Sequence, residues 1–408
     1  MKVLLVHQNF PGQFLHLVPA LRARGHEVLG LTALGNRRPS PVPVSYYRFD
    51  PPPVDGGAVR LGRSYVEQTD RASAVARAAL VLRDRHGYVP DVIFGHCGWG
   101  ETLFLREVWP QARLLVYAEF FHGTRGRDTF FDPEFGQPGL PAALGVVART
   151  AGYAQAMAQA DAAVCPTEWQ ASTFPACFRP RISVIHDGID TDTLCPDPTA
   201  RFRLPDHGGF LHAGQEVLTY VSRNLEPYRG FHRFMRALPA VLQARPDAQV
   251  VIVGGTATSY GAPPTGGGSW KDAMIHELGH RLDRSRVHFT GTLPYDSYRR
   301  LMQVSRVHCY LTVPFVLSWS LIEAMSTGAT IVGSDTAPVQ EVIRHGETGL
   351  LVDYFDTTRL SDALADALAD PAAYAHLGRA ARAEAVARFD FRRICLPRLL
   401  DFVETAGT

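Results

Sequence analysis

Residues 314–333 read PFVLSWSLIEAMSTGATIVG. The run just before them, VHCYL (Val307–Leu311), is short and apolar and reads as a buried strand. It leads into a polar elbow at Ser318, Trp319 and Ser320. A helix follows, with Glu323 in its first turn and Gly328 at its end, and a second apolar strand begins at Thr330. Strand, elbow, helix and strand make the repeating unit of a parallel α/β sheet. An elbow that enters a helix from the C-terminal end of a strand presents unpaired N–H groups and the positive end of the helix dipole, which is an anion site. Glu323, a turn further in, is placed to meet a sugar hydroxyl beside that anion. Ser320 and Glu323 also have capping-box spacing. On these residues both readings stand.

The same unit recurs on either side. VLTYVS (Val217–Ser222), AQVVIVGG and RVHFTGTL read as strands, each followed by a loop and a helix. Upstream, Val3–Val6 opens a strand–loop–helix–strand unit whose loop holds Gly12, where backbone can approach a ligand closely. PDVIFGH and RLLVYAE are further strands, whose polar ends place His96, Glu101, Glu119, His122 and Arg125 on one rim. The segment 36–57 is rich in Pro and Gly and reads as irregular. The expected organisation is an N-terminal Rossmann-like domain over 1–195, a Pro- and Gly-rich hinge over 196–215, a second Rossmann-like domain over 216–390, and a C-terminal helix over 391–408 that is free to cross back to the first domain.

Composition narrows the function. The chain has 408 residues, 20% of them charged, and a net charge of +1, so no electrostatic case for a nucleic-acid partner arises. No run approaches the roughly 20 apolar residues of a membrane span. MKVLLVHQNF is too short an apolar run for a signal peptide. Six scattered cysteines without a CxxC pair suggest reduced thiols and a cytoplasmic location. Peripheral contact with the inner membrane face is compatible with that.

Two constellations carry chemistry. HELGH (His276–His280) has the zincin pattern of two histidines around a glutamate, an alternative reading as a zinc metallohydrolase. A third ligand at zincin spacing is missing, and Arg281, Arg284 and Arg286 crowd the region. Arg223 and Arg229 follow the first strand of the second half and are spaced to clamp a diphosphate, with guanidinium forks that match phosphate oxygens.

Together these stretches resemble the retaining glycosyltransferases of family 4. VIHDGID (Val184–Asp190), SRNLEPYRG (Ser222–Gly230), VIVGG, VHFTG and SLIEAMSTGATIVGSDTAPVQEVIRHGETGLLV are similar to that family's motifs in order and spacing. The resemblance implies a GT-B fold, two Rossmann-like domains facing each other across a cleft. It also implies transfer of a sugar from a nucleotide-diphosphate sugar to a saccharide, lipid-linked or small-molecule acceptor, with no metal and no cofactor. The first domain is expected to bind the acceptor and the second the nucleotide sugar. Carried over, Arg223 and Arg229 hold the diphosphate, Glu323 the ribose, and backbone near Thr290 the base. Val316, Leu317, Ser318, Trp319 and Ser320 approach sugar and phosphate through their amides. His122 lies near the donor sugar, and Gly12 near the phosphate or acceptor. The family's EX7E motif has a second glutamate eight residues before Glu323; here that position is Phe315, which points to a less polar sugar pocket. Two other readings stay open: a catalytically silent binding protein of the same fold, and a sugar-nucleotide epimerase or phosphorylase-like enzyme.

Overall fold

The computed structural model describes residues 1–51, 61–135, 139–205 and 208–407. The chain forms two compact units, residues 1–187 with 392–408, and residues 188–391. Each is a parallel sheet covered by helices.

In the first unit the strands are β1 (Lys2–Val6), β2 (Glu27–Ala33), β3 (Val44–Tyr47), β4 (Val92–His96), β5 (Arg113–Tyr117), β6 (Ala162–Cys165) and β7 (Ile182–Val184). They lie in the order β3-β2-β1-β4-β5-β6-β7, all parallel. β4 is buried along its whole length, as a strand covered on both faces must be. β3 corrects the expectation of irregular structure over 36–57. VSYY is β-branched and aromatic, Tyr47 is buried, and the segment pairs with β2. Residues 52–57 of that stretch lie outside the described residues. The last helix, Leu396–Thr405, belongs to this unit. Leu399, Leu400, Phe402 and Val403 join the core of Val3, Leu5, Phe94 and Leu115. Arg113 donates to the carbonyls of Val403, Glu404 and Ala406 at its end, satisfying acceptors that a helix C-terminus leaves open.

The second unit holds a small antiparallel hairpin, β8 (Arg201–Arg203) and β9 (Phe210–His212). Its main sheet contains β10 (Val217–Asn224), β11 (Gln249–Gly255), β12 (Val287–Gly291), β13 (Val307–Tyr310), β14 (Thr330–Ser334) and β15 (Leu350–Val352). The order is β12-β11-β10-β13-β14-β15, again all parallel. The hairpin corrects the expected hinge over 196–215. Ala200, Phe202, Leu204 and Leu211 pack with Val217, Val251, Val253, Leu301 and Val304, so the segment belongs to the second unit's core. Composition rich in Pro and Gly read as a linker; the few apolar residues between them decide otherwise. Division between units falls instead at 187/188 and at 391/392.

Both sheets reverse direction once, between β1 and β4 and between β10 and β13. In open α/β sheets ligands bind outside the carboxyl ends of the strands at such a reversal. The loops after β10 and β13 carry Arg229, Phe315 and the elbow.

Candidate active site

Arg229 closes the loop after β10, in a short turn over Pro227–Arg229. Gly230 follows at φ +64°, and a Cβ there would lie 2.5 Å from Leu311 Cβ, so only glycine lets this loop press against the end of β13. The Arg229 side chain is buried. Its Nη1 donates to the carbonyl of Val316 at 2.7 Å, to Thr312 Oγ1 at 3.0 Å and weakly to the Tyr310 hydroxyl at 3.5 Å. The Tyr220 hydroxyl holds the Arg229 carbonyl at 2.7 Å. A charge this deep, fixed by neutral acceptors, is set in place before any anion arrives. Arg223, at the end of β10, is exposed.

Phe315 packs beside the guanidinium, its ring centroid 5.4 Å from Arg229 Cζ. Tyr228 and Tyr260 meet the Phe315 ring edge-on at 5.3 and 4.9 Å. The Tyr260 ring also lies 5.7 Å from Arg229 Cζ. Where the resembled family carries a carboxylate, the Phe315 and Tyr260 rings lie over a cation, with Tyr228 packed on Phe315.

The helix after the elbow spans Trp319–Thr327 and is capped by Ser318, whose Oγ accepts from the Ser320 N–H. This corrects the reading of Glu323. The helix starts earlier than the capping-box spacing requires, so Glu323 is its fifth residue and lies past the first turn. Its carboxyl accepts from the Tyr298 hydroxyl at 2.5 Å and caps nothing. Burial pushes it up to about 7, while the Tyr298 bond pulls the other way. Within the elbow, the Ser318 N–H donates to the Tyr310 hydroxyl at 2.7 Å and the Ser320 N–H to Ser318 Oγ at 3.4 Å, so these two amides already have partners. Leu317 is buried and Trp319 partly exposed. Thr290, half-buried in β12, turns its hydroxyl toward the carbonyls of Ile252 and Gly291.

The remaining expected residues lie in the first unit. Gly12 has φ +52°, and a Cβ there would come within 2.7 Å of the His7 ring. His122 Nδ1 pairs with Asp128 Oδ2 at 2.9 Å and meets the Phe120 and Tyr153 rings edge-on. The structure thus brings Phe315, Val316 and Tyr310 together around Arg229, ties Ser318 to Tyr310, and gives Glu323 its own partner in Tyr298.

Glu226 escaped the sequence reading although it stands between the two arginines. Fully buried, it accepts from the backbone N–H groups of Ser259, Tyr260 and Gly261 at 3.0–3.3 Å. It thereby fixes the loop that carries Tyr260 over Phe315. Acid between two arginines was the one available sign.

HELGH is not a metal site in this geometry. The helix ends at Leu278, and Gly279–Arg281 form a tighter turn with Gly279 at φ +52°. The two histidines therefore do not share one helical face. Glu277 is held by Arg236 through two bonds, Nε to Oε1 at 2.6 Å and Nη2 to Oε2 at 2.9 Å.

Profiles of known families fit this arrangement. Residues 24–194 match the glycosyl transferase family 4 group, and residues 206–384 match the glycosyl transferases group 1. The chain belongs to the family 4 glycosyltransferases. It is 28% identical over 242 residues to a GDP-mannose-dependent alpha-(1-6)-phosphatidylinositol monomannoside mannosyltransferase of Mycolicibacterium smegmatis, covering 57% of this chain and 59% of that protein. It is 31% identical over 233 residues to a D-inositol 3-phosphate glycosyltransferase of Nocardia farcinica, covering 55% of this chain and 48% of that protein. The chain thus spans about half of each of these two relatives. Among solved structures, it resembles Anabaena HepE in complex with UDP, with a TM-score of 0.66 at 16% identity over 99% of this chain and 100% of the other. It also resembles sucrose-phosphate synthase from Thermosynechococcus elongatus, with a TM-score of 0.70 at 19% identity over 99% and 98%. The fold of this family member is GT-B. Among the described residues, no helix is long and apolar enough to cross a membrane.

Proposed function

We propose that this chain transfers a sugar from a nucleotide-diphosphate sugar to a hydroxyl acceptor, with retention at the anomeric carbon and without a metal or other cofactor. The observation that carries this reading is Arg229, a buried guanidinium fixed at the strand-order reversal of the second sheet. In the transfer, the bond from the anomeric carbon to the diphosphate oxygen breaks, the acceptor oxygen bonds that carbon, the acceptor's proton is taken up by the departing diphosphate, and negative charge grows on the diphosphate as it leaves. Arg229, with Arg223 from the end of the preceding strand, stabilises that charge. Arg229 is already oriented, so little reorganisation is needed as the charge develops. Glu323 accepts from the ribose hydroxyls. Thr290 lies at the end of the strand whose backbone meets the base. The aromatic wall of Phe315, Tyr228 and Tyr260 faces the sugar.

The UDP complex of Anabaena HepE supports a nucleoside diphosphate as the donor's leaving group. The names of the curated relatives support an acceptor built on a hydroxylated ring. Catalysis on nucleotide and lipid-linked substrates suits the cytoplasm and its membrane face.

A panel of UDP-, GDP- and ADP-sugars, assayed for release of the nucleoside diphosphate with and without acceptor, tests the reading. Acceptor-dependent release with a product of unchanged anomeric configuration is expected. Binding without release would favour the silent binding protein, and turnover of donor without acceptor the epimerase.

A further inference from the structure

The hairpin β8–β9 completes the second unit's core with one face only. Its register pairs Arg201 with His212, Phe202 with Leu211 and Arg203 with Phe210. Side chains alternate along each strand, so this register sorts them into two sets. Phe202 and Leu211 are buried in the core with Val217, Val251 and Val253. Arg201, Arg203, Phe210 and His212 are exposed on the opposite face. Phe210 is 47% exposed, and its ring lies 5.4 Å from Arg201 Cζ and 6.5 Å from the His212 ring. The face therefore holds two guanidinium groups, an imidazole and a phenyl ring, and no carboxylate. Asp197, at the base of the hairpin, is turned to Thr199, accepting from its hydroxyl at 2.7 Å and its N–H at 2.9 Å. Those bonds, and then the charges of Arg299 and Arg300, draw Asp197 below the usual carboxylate range, so further positive charge stands near this base. Asp206 and His207, at the turn, lie outside the described residues.

The chemistry of this face selects its occupant. Guanidinium forks match phosphate oxygens, and an exposed phenyl ring gains by leaving water. A bilayer with anionic headgroups offers both, with phosphates at its surface and an apolar layer just beneath. An acidic protein segment would meet the arginines but has no use for the ring. A second copy of the chain presenting the same face would set arginine against arginine, because a two-fold contact joins like patches. Nucleic acid finds no support in a chain of net charge +1. The hairpin is fixed from behind by its buried residues, so the outer face needs little ordering when it docks.

We propose that the outer face of β8–β9 is a docking surface for a bilayer carrying anionic headgroups, with Arg201 and Arg203 at the phosphates and Phe210 entering the boundary of the acyl layer. The contact is peripheral: two cations and one ring hold the chain at the surface, most strongly at low ionic strength. It does not depend on the transferase reading.

Co-sedimentation of the full chain with vesicles of phosphatidylcholine alone, and of phosphatidylcholine with phosphatidylglycerol, tests the surface. Wild type is expected to bind the mixed vesicles about fivefold or more better at low salt, and to lose most of that preference at about 0.5 M salt. Arg201→Glu combined with Arg203→Glu should weaken binding to the mixed vesicles by about tenfold or more, and Phe210→Ser by about threefold or more. Circular dichroism checks that each variant is folded. Equal binding to both vesicle types, or equal binding to the mixed vesicles by wild type and the arginine double variant, overturns the proposal. Binding of polyglutamate but of neither vesicle overturns it in favour of an acidic protein segment. Phe210→Ser binding as wild type does would overturn the ring's part and leave charge alone. UDP binding by wild type, followed by thermal shift, reads the donor site separately: its absence would count against the donor reading and leave the vesicle result to stand by itself.

Discussion

The Tyr298 hydroxyl donates to the Glu323 carboxyl at 2.5 Å, joining two neighbouring helices of the second unit. Glu323 is pushed up to about 7 by burial, so the folded protein holds a proton there that the unfolded chain releases near the ordinary glutamate value. Between those two values the native state binds more protons, and stability falls as pH rises. Glu323→Gln removes this dependence. Its stability relative to wild type should therefore rise from pH 5 to pH 8, measured by urea unfolding at several pH values. A flat difference would show that Glu323 does not titrate in this range. Tyr298→Phe removes a bond to the carboxylate and should raise the Glu323 titration further.

If the ionised Glu323 holds ribose, nucleotide affinity gains with pH through the same range. The affinity of wild type for UDP or GDP at pH 8 against pH 6 should exceed the same ratio in Glu323→Gln, which cancels the nucleotide's own titration. Calorimetric titration of both proteins reads the difference.

Phe315 stands where relatives with the complete EX7E motif place a carboxylate, and here it packs on Tyr228, Tyr260 and Arg229. Phe315→Glu is expected to reorder the preference among donor sugars, read as relative kcat/KM across the panel, because it sets a hydroxyl-binding group into an aromatic wall. An unchanged order would mean that Phe315 does not face the sugar. Phe315→Ala should cost about 3–5 kcal/mol of stability, as for a large aromatic removed from a packed site.

Glu226 pins the 259–261 segment through three amides. Glu226→Ala should speed hydrogen exchange at Ser259, Tyr260 and Gly261 and cost about 1–3 kcal/mol. Exchange unchanged at those amides would show the loop to be held by other contacts.

The sheets were legible because their strands are apolar runs with loops and helices between them, and the reversal points follow from strand order. Arg229 was legible because it follows such a strand. Tyr298 was not, since its contact with Glu323 joins residues 25 apart with no periodic sign. Glu226 was hidden because its partners are backbone groups, which any residue supplies. Ser318 takes the cap that sequence spacing assigned to Ser320, a shift of two residues that moves Glu323 past the first turn of the helix. Segment 196–215 misled because Pro and Gly outnumber Phe202 and Leu211, whereas burial depends on the latter.

The central claim is that Arg229 holds the diphosphate of the donor, and calorimetric titration of UDP and GDP into wild type and Arg229→Lys tests it most directly. Lysine keeps the charge but loses the planar fork and the bonds to Thr312 and Val316. The account expects wild type to bind at least one of the two nucleotides and the variant to bind it about tenfold or more weakly, a loss of roughly 1.4 kcal/mol. Equal affinity in the two proteins, with both folded by circular dichroism, would contradict it.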